Sequence, residues 1–206
     1  MRTVIIVIAC VLVATCSVSA FAISIAIDPA AMAGWTGTTN FLATDGSDTI
    51  NVNIEYAVYN LGAYPGSDLS GGSELVYAYQ IFSDTNAVSV NVSSLCVGLI
   101  AGAPHDNINN DPGYGVLGGD APTIGAFTAT SAAWSFLSNT IDAGEHSTVL
   151  IFTSSGIPIM DSAQLNNGGI SAIALLPTPT DTLIPEPSIM LIGLGITALV
   201  GRRKRK

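Results

Sequence analysis

The chain has 206 residues, of which 49% are hydrophobic and only 10% are charged. This length suits one domain, and the formal net charge of −9 hides a strong asymmetry, because all six basic residues lie at the two ends. Residues 23–184 contain 14 Asp or Glu and no Lys or Arg, so the central domain lacks the basic surface that nucleic-acid binding requires.

The N-terminus has the three parts of a secretory signal peptide. Arg2 supplies a short positive region, and residues 4–14 form an uninterrupted apolar run that is too short to span a bilayer alone. The small residues Ala20 and Ala22 fit the −3 and −1 positions of a signal peptidase site. We therefore predict that residues 1–22 form a signal helix that is removed on export, with cleavage after Ala20 as the second choice.

Between the two ends, the sequence predicts a single antiparallel β-sandwich that spans residues 23–176. Ile50, Val52 and Ile54 alternate with polar or charged residues, as on a strand that is buried on one face. Clusters of Gly, Asn, Asp and Pro separate such segments, and no segment has sustained helical periodicity. We expect an all-β domain of the immunoglobulin-like or jelly-roll-like kind, with strands at residues 50–58, 75–82, 88–92, 148–153 and 169–176.

Eight aromatic side chains of the domain offer rings that could stack on sugars. Aromatic residues at strand spacing fill a core in most sandwiches, so we expect most of these rings to be buried. Tyr64 and Tyr114 stand in turns rich in Pro and Gly, and we expect these two to be exposed. The full set is Trp35, Tyr56, Tyr59, Tyr64, Tyr77, Tyr79, Tyr114 and Trp134.

One acidic segment has the spacing of a calcium loop. Asn107, Asn109 and Asp111 follow the i, i+2, i+4 pattern of the first calcium ligands in such a loop. However, Pro112 stands where the loop needs Gly, and Gly118 stands where it needs a bidentate Glu. A polar turn is the preferred interpretation, with a noncanonical calcium site as the alternative and no other cofactor expected.

The residues of a catalytic centre are sparse in the domain, and we predict that it is not an enzyme. Asp142, His146 and Ser147 are too close in sequence for one turn to arrange them as a triad. The two histidines, His105 and His146, and the one cysteine of the domain, Cys96, cannot complete a zinc site without carboxylates. A hydrolase with a carboxylate pair remains the weakest alternative, because sequence does not reveal which carboxylates meet in space.

The C-terminal part consists of a spacer and a short membrane-directed tail. Residues 177–184 are rich in Pro and Thr and are predicted to lie outside the core. The apolar run 189–201 would reach only about 20 Å as a helix, less than the hydrocarbon thickness of about 30 Å. It ends in a basic cluster that favours the cytoplasmic side, formed by Arg202, Arg203, Lys204, Arg205 and Lys206.

Residues 185–206 resemble the PEP-CTERM sorting domain. The motif Pro185-Glu186-Pro187, the short hydrophobic helix at 189–201 and the terminal basic cluster occur in the order of that family. The resemblance implies transient insertion in the inner membrane and processing near the motif by an exosortase, a membrane cysteine peptidase of bacteria that make extracellular polysaccharide. A plain single-pass anchor stays open as an alternative.

Such a tail specifies an address and no activity. The resemblance therefore implies an exported protein of the outer surface or extracellular matrix, with signal peptidase and exosortase as processing partners. For the domain itself we predict a structural or adhesive role. The alternative is a carbohydrate- or calcium-binding module, with extracellular polysaccharide as the carbohydrate partner.

The signal-peptide interpretation predicts the first residue of the exported protein. Because the small residues at −3 and −1 direct signal peptidase, we expect the mature chain to begin at Ile23. N-terminal sequencing of the exported protein tests this prediction. A chain that begins at Met1, or at an acylated Cys16, would contradict it.

Overall fold

A computed structural model describes residues 23–46, 48–85 and 91–184, and it shows two five-stranded antiparallel sheets packed as a β-sandwich. The all-β prediction is thereby confirmed at the level of the sandwich. The predicted signal peptide with Ala20 and Ala22, the predicted sorting tail 185–206 and most of the predicted strand at 88–92 lie outside the described residues.

The chain passes between the two sheets several times. The first sheet has the order β1 (Ala31–Asp45), β2 (Asp48–Tyr59), β3 (Leu75–Ser83), β8 (Val149–Ser154), β5 (Asp106–Asp111). The second sheet has the order β10 (Ser171–Leu183), β9 (Gly156–Asn166), β4 (Ser94–Gly98), β7 (Ser131–Ser135), β6 (Ile124–Phe127). A single 3-10 turn at Ile25–Ile27 precedes β1, and no helix in the described ranges is long and apolar enough to cross a membrane.

The hydrophobic pattern of β2 and β3 places these strands as predicted. Ile50, Val52 and Ile54 are buried between the sheets, because alternate side chains of a strand point to the same face. β3, apolar on both faces apart from Gln80, lies at the centre of the first sheet. Gln80 is itself fully buried, and its side-chain amide donates to the carbonyl oxygens of Val116 and Ser147 at 2.7 and 2.8 Å.

Aromatic rings from both sheets fill the middle of the core. Tyr77 stacks on Phe152 with ring centroids 5.0 Å apart, and Tyr79 contacts Trp134 at 5.9 Å. The polar atoms of these rings find partners at the edges of the core: the Trp134 indole nitrogen donates to the carbonyl oxygen of Asn109 at 2.9 Å. The core aromatics therefore pack the sheets together without leaving their polar atoms unpaired.

The predicted spacer at 177–184 is wrong for most of its length. β10 continues to Leu183, with Thr178 buried and paired with Ile159 of β9. Two hydrogen bonds fasten this extension: the Tyr79 hydroxyl donates to the carbonyl oxygen of Pro177, and the Thr178 hydroxyl donates to that of Gly98, both at 2.5 Å. The prolines are tolerated because β10 is an edge strand, which does not need every backbone N–H.

Truncation distinguishes a spacer from a strand. A chain that ends at Leu176 leaves the Tyr79 hydroxyl buried without its acceptor and removes the end of β10. We expect a loss of at least about 3 kcal/mol in unfolding free energy and a melting temperature lower by about 6–12 °C. Thermal unfolding compared with a chain that ends at Ile184 measures the effect. Coinciding melting curves would restore the spacer interpretation.

Candidate functional site

Two faces of the sandwich point away from the core, and only one of them is covered at its centre. The outer face of the first sheet is covered by what we call the lid: the 3-10 turn at Ile25–Ile27, the loop 60–74 and the segment 112–120. Ile25 and Tyr64 from the lid pack on Val76 and Ile151 of the sheet. This cover explains why β3 and β8 are buried on both faces.

Two tyrosines of the lid, Tyr64 and Tyr114, meet Tyr59 at the end of β2. The ring of Tyr64 lies 5.0 Å from that of Tyr59 and 5.2 Å from that of Tyr114, in edge-to-face contacts. The prediction that Tyr64 is exposed is therefore wrong, because its turn folds back onto the sheet and buries the ring. Tyr114 is half-buried in the same cluster. The Pro- and Gly-rich turn around Tyr64 does not predict this contact, because the contact with Tyr114 joins parts of the chain that are far apart in sequence.

Two buried carboxylates bind these three tyrosines. Asp28 accepts hydrogen bonds from the hydroxyls of Tyr59, at 2.8 Å, and Tyr114, and from the backbone N–H of Ala30 at 2.9 Å. Asp111 accepts from the hydroxyl of Tyr64 at 3.1 Å. With no Lys or Arg in residues 23–184, these neutral donors compensate for the burial of the carboxylates.

The predicted calcium ligands Asn107, Asn109 and Asp111 make separate contacts in the structure. The Asp111 carboxylate also accepts from the backbone N–H groups of Ser67, at 2.7 Å, and Gly113, at 2.9 Å, so it anchors two loops. The side-chain amide of Asn107 donates to Thr153, and the side chain of Asn109 is exposed. In the described ranges, no group of three or more His, Cys, Asp or Glu could hold a metal ion. Calcium binding stays a prediction, and Asp111 would have to give up protein donors to take part.

The histidines contact carbonyl oxygens and aromatic rings. His146 lies against Phe82 with ring centroids 5.6 Å apart, and its Nε2 is 3.2 Å from the carbonyl oxygen of Leu117. The hydroxyl of its neighbour Ser147 is buried and accepts the N–H of Ile81 at 2.9 Å. His105 lies against Phe127. The structure therefore gives Ser147 a role in the backbone pairing of β3.

The outer face of the second sheet is open and uncharged. Side chains that lie opposite each other on neighbouring strands form rows across this face. One such row contains Cys96, Ala133 and Gln164, which are paired across β4, β7 and β9. Every residue is aliphatic, small or neutral polar, and sequence reasoning missed the face because alternation does not show which outer face is left open. We define it as Ile124, Ser135, Ser94, Asn166, Ser171, Ala126, Ala133, Cys96, Gln164, Ile173, Ser131, Gly98, Ser162 and Leu175.

This outer face contains two hollows. One shallow hollow of about 350 Å³ is lined by Cys96, Gly98, Ser162 and Gln164, among others, and a neighbouring hollow of about 380 Å³ surrounds Asn166 at the end of the β9–β10 hairpin. Side-chain hydrogen bonds hold its polar part in place, such as the bond from Asn166 Nδ2 to Ser94 Oγ at 3.1 Å. Partial burial raises the pKa of the Cys96 thiol, which keeps it in the neutral form. The face is therefore suited to contact with an uncharged surface.

The buried phenols predict a sharp alkaline unfolding. Burial raises the pKa of Tyr59, Tyr64, Tyr77 and Tyr79 above the ordinary value of 10.0, with Asp28 and Asp111 adding to the effect for the first two. Because the folded state favours the neutral phenols, their contribution is complete below pH 10 and is lost as the pH rises further, by about 1.4 kcal/mol per pH unit for each phenol. Ultraviolet absorbance of tyrosinate, followed together with circular dichroism, should show these phenols ionising only as the protein unfolds.

A matched variant provides the control for this pH dependence. Tyr77→Phe removes one ionisable group, so its stability should fall less steeply with pH above 10 than that of the unchanged protein. Ionisation of all tyrosines well before loss of the β signal would contradict the prediction.

Comparisons with known proteins return no match to this chain. No protein-family model matches it, and neither the curated proteins nor the solved structures contain a match. The resemblance to PEP-CTERM proteins therefore rests on the motif at 185–187 and its surroundings, and the fold is described from the sandwich itself.

Proposed function

We propose that the protein is an exported, exosortase-sorted component of the bacterial cell surface or extracellular matrix, with a structural or adhesive role. The observation that carries the role is the open, uncharged outer face of the second sheet on an otherwise acidic domain. The address comes from the signal peptide 1–22 and the tail 185–206. The proposal extends to an immunoglobulin-like or jelly-roll-like relationship of the sandwich and to helices at both termini.

The interior of the domain supports a scaffold role. The core between the sheets is filled by large side chains such as Tyr79, Trp134 and Phe152, and the lid fills the other side of the first sheet. The carboxylates of Asp28 and Asp111 each accept three hydrogen bonds from protein donors. Groups held in this way stabilise loops, and they are poorly placed to exchange protons with a substrate.

Carbohydrate binding remains the alternative, but one expected feature is missing. Sugar-binding sheets place aromatic rings where they stack on the ligand, and the chain has rings enough for this. Within the described ranges every aromatic side chain is buried or half-buried, and the outer face of the second sheet holds none. Aliphatic and hydroxyl groups dominate that face, which favours contact with protein.

The address is tested by changing the motif in the organism that makes the protein. Replacing Pro185, Glu186 and Pro187 with alanines should leave the protein in the inner membrane with its tail uncut, because the processing enzyme no longer recognises it. Fractionation and mass spectrometry of the C-terminus measure the outcome, with Ser188→Ala as the matched control. Equal distribution of both variants would contradict exosortase sorting.

The structural role has its own readout. A strain without the protein should form a less cohesive surface layer or matrix, and the unchanged chain should restore it. The motif variant should not restore it, because that variant stays in the membrane. Full restoration by the motif variant would separate the role from the address and contradict the proposal.

A further inference from the structure

We propose that the outer face of the second sheet is a contact between two copies of this chain, packed face to face. The inference deepens the proposed structural role by naming the partner. The inference rests on the proposed role for its biological meaning. Its physical basis is the charge of the domain, the shape of the outer face and the lid that covers the other sheet.

Charge is the first argument. The domain carries 14 carboxylates and no Lys or Arg, so two copies repel each other wherever acidic surfaces meet. The outer face of the second sheet has no acidic residue. Asp161 of β9 has the opposite orientation, since it pairs with the inward-facing Leu176. A basic partner would be attracted to the acidic surfaces elsewhere, whereas the uncharged face lets a second copy approach without bringing carboxylates together.

Shape is the second argument. Ile173 and Leu175 of β10 are 69% and 52% exposed and form an aliphatic ridge along one side of the face. The hollow of about 350 Å³ lies next to the ridge, over Cys96 and Gly98 of β4. In a two-fold arrangement the ridge of each copy enters the hollow of the other, and this self-complementarity is what a symmetric dimer requires. Burial of these aliphatic side chains supplies the favourable free energy.

Coverage of the other surfaces is the third argument. The centre of the outer face of the first sheet is closed by the lid. At the β10 edge of the second sheet, Pro177 and Pro179 lack the N–H groups that edge-to-edge pairing needs, and the Thr39 hydroxyl of β1 already donates to the carbonyl oxygen of Leu175. Of the two outer faces, the one on the second sheet is therefore the one that a second copy can pack against.

Sedimentation equilibrium of the exported protein, purified from cells that express the full chain, tests the proposal. We expect a monomer–dimer equilibrium that tightens on the order of tenfold between about 0.05 and 0.5 M NaCl, because the Debye length falls from about 14 to about 4 Å and screens the repulsion. A protein that stays monomeric at every concentration and salt level would overturn the proposal.

Two aspartate variants with the same charge change separate the face from the rest of the surface. Ile173→Asp should weaken the dimer at least tenfold, because it places like charges in the contact. Leu42→Asp is the control: Leu42 is 63% exposed on β1 and points away from the core that holds its neighbour Phe41. Its dimer should stay within about twofold of the unchanged protein. Equal effects of the two variants would overturn the proposal.

Cys96 gives an independent probe, since it lies within the proposed contact and is the cysteine of the described domain. Its rate of alkylation by a maleimide should fall as protein concentration rises, and in Ile173→Asp this fall should require at least tenfold higher concentration. A monomer whose Cys96 becomes protected only when a neutral polysaccharide is added would instead assign the face to carbohydrate. A negative result in the dimer experiments would not change the result of the sorting experiment. The contact between two copies and the proposed function are therefore tested independently.

Discussion

The absence of any fixed positive charge between residues 23 and 184 is the constraint on which the rest of the domain depends. A buried carboxylate usually has a guanidinium or ammonium partner, and here it must use hydroxyl and backbone N–H donors. Asp28 and Asp111 recruit tyrosines for this purpose, and the tyrosines bring loops with them. The lid is thus a consequence of charge composition as much as of hydrophobic burial.

The same constraint shapes the two faces of the sandwich differently. Over the first sheet, the carboxylates of Asp28 and Asp111 are buried beneath the lid and bonded to it. The lid also buries the outer face of the sheet. Over the second sheet, acidic side chains are excluded from the outward rows, and small hydroxyl and aliphatic residues take their places. One face serves stability, and the other is left available for contact.

Much of the fold is readable from the sequence because strand alternation is a local signal. The alternation of Ile50, Val52 and Ile54 and the doubly apolar β3 both predict their observed positions. The burial of Tyr64 and the extension of β10 through Pro177 are not readable in this way, because they depend on contacts with Asp111 and Tyr79 from distant strands. The open face escapes prediction for the same reason: local pattern fixes which side chains share a face, and long-range packing decides which face is covered.

The firm attachment of the last strand has a consequence for how the chain would be processed. Ile184 still donates its N–H to the carbonyl oxygen of Ser155, at 2.9 Å, and the Pro-Glu-Pro motif begins at the next residue. Under the proposed sorting, a peptidase that cuts directly before the motif would have to reach a bond immediately beside folded β-structure or wait for the edge of β10 to fray. The rate at which the protein leaves the membrane would then depend on local unfolding of its own final strand.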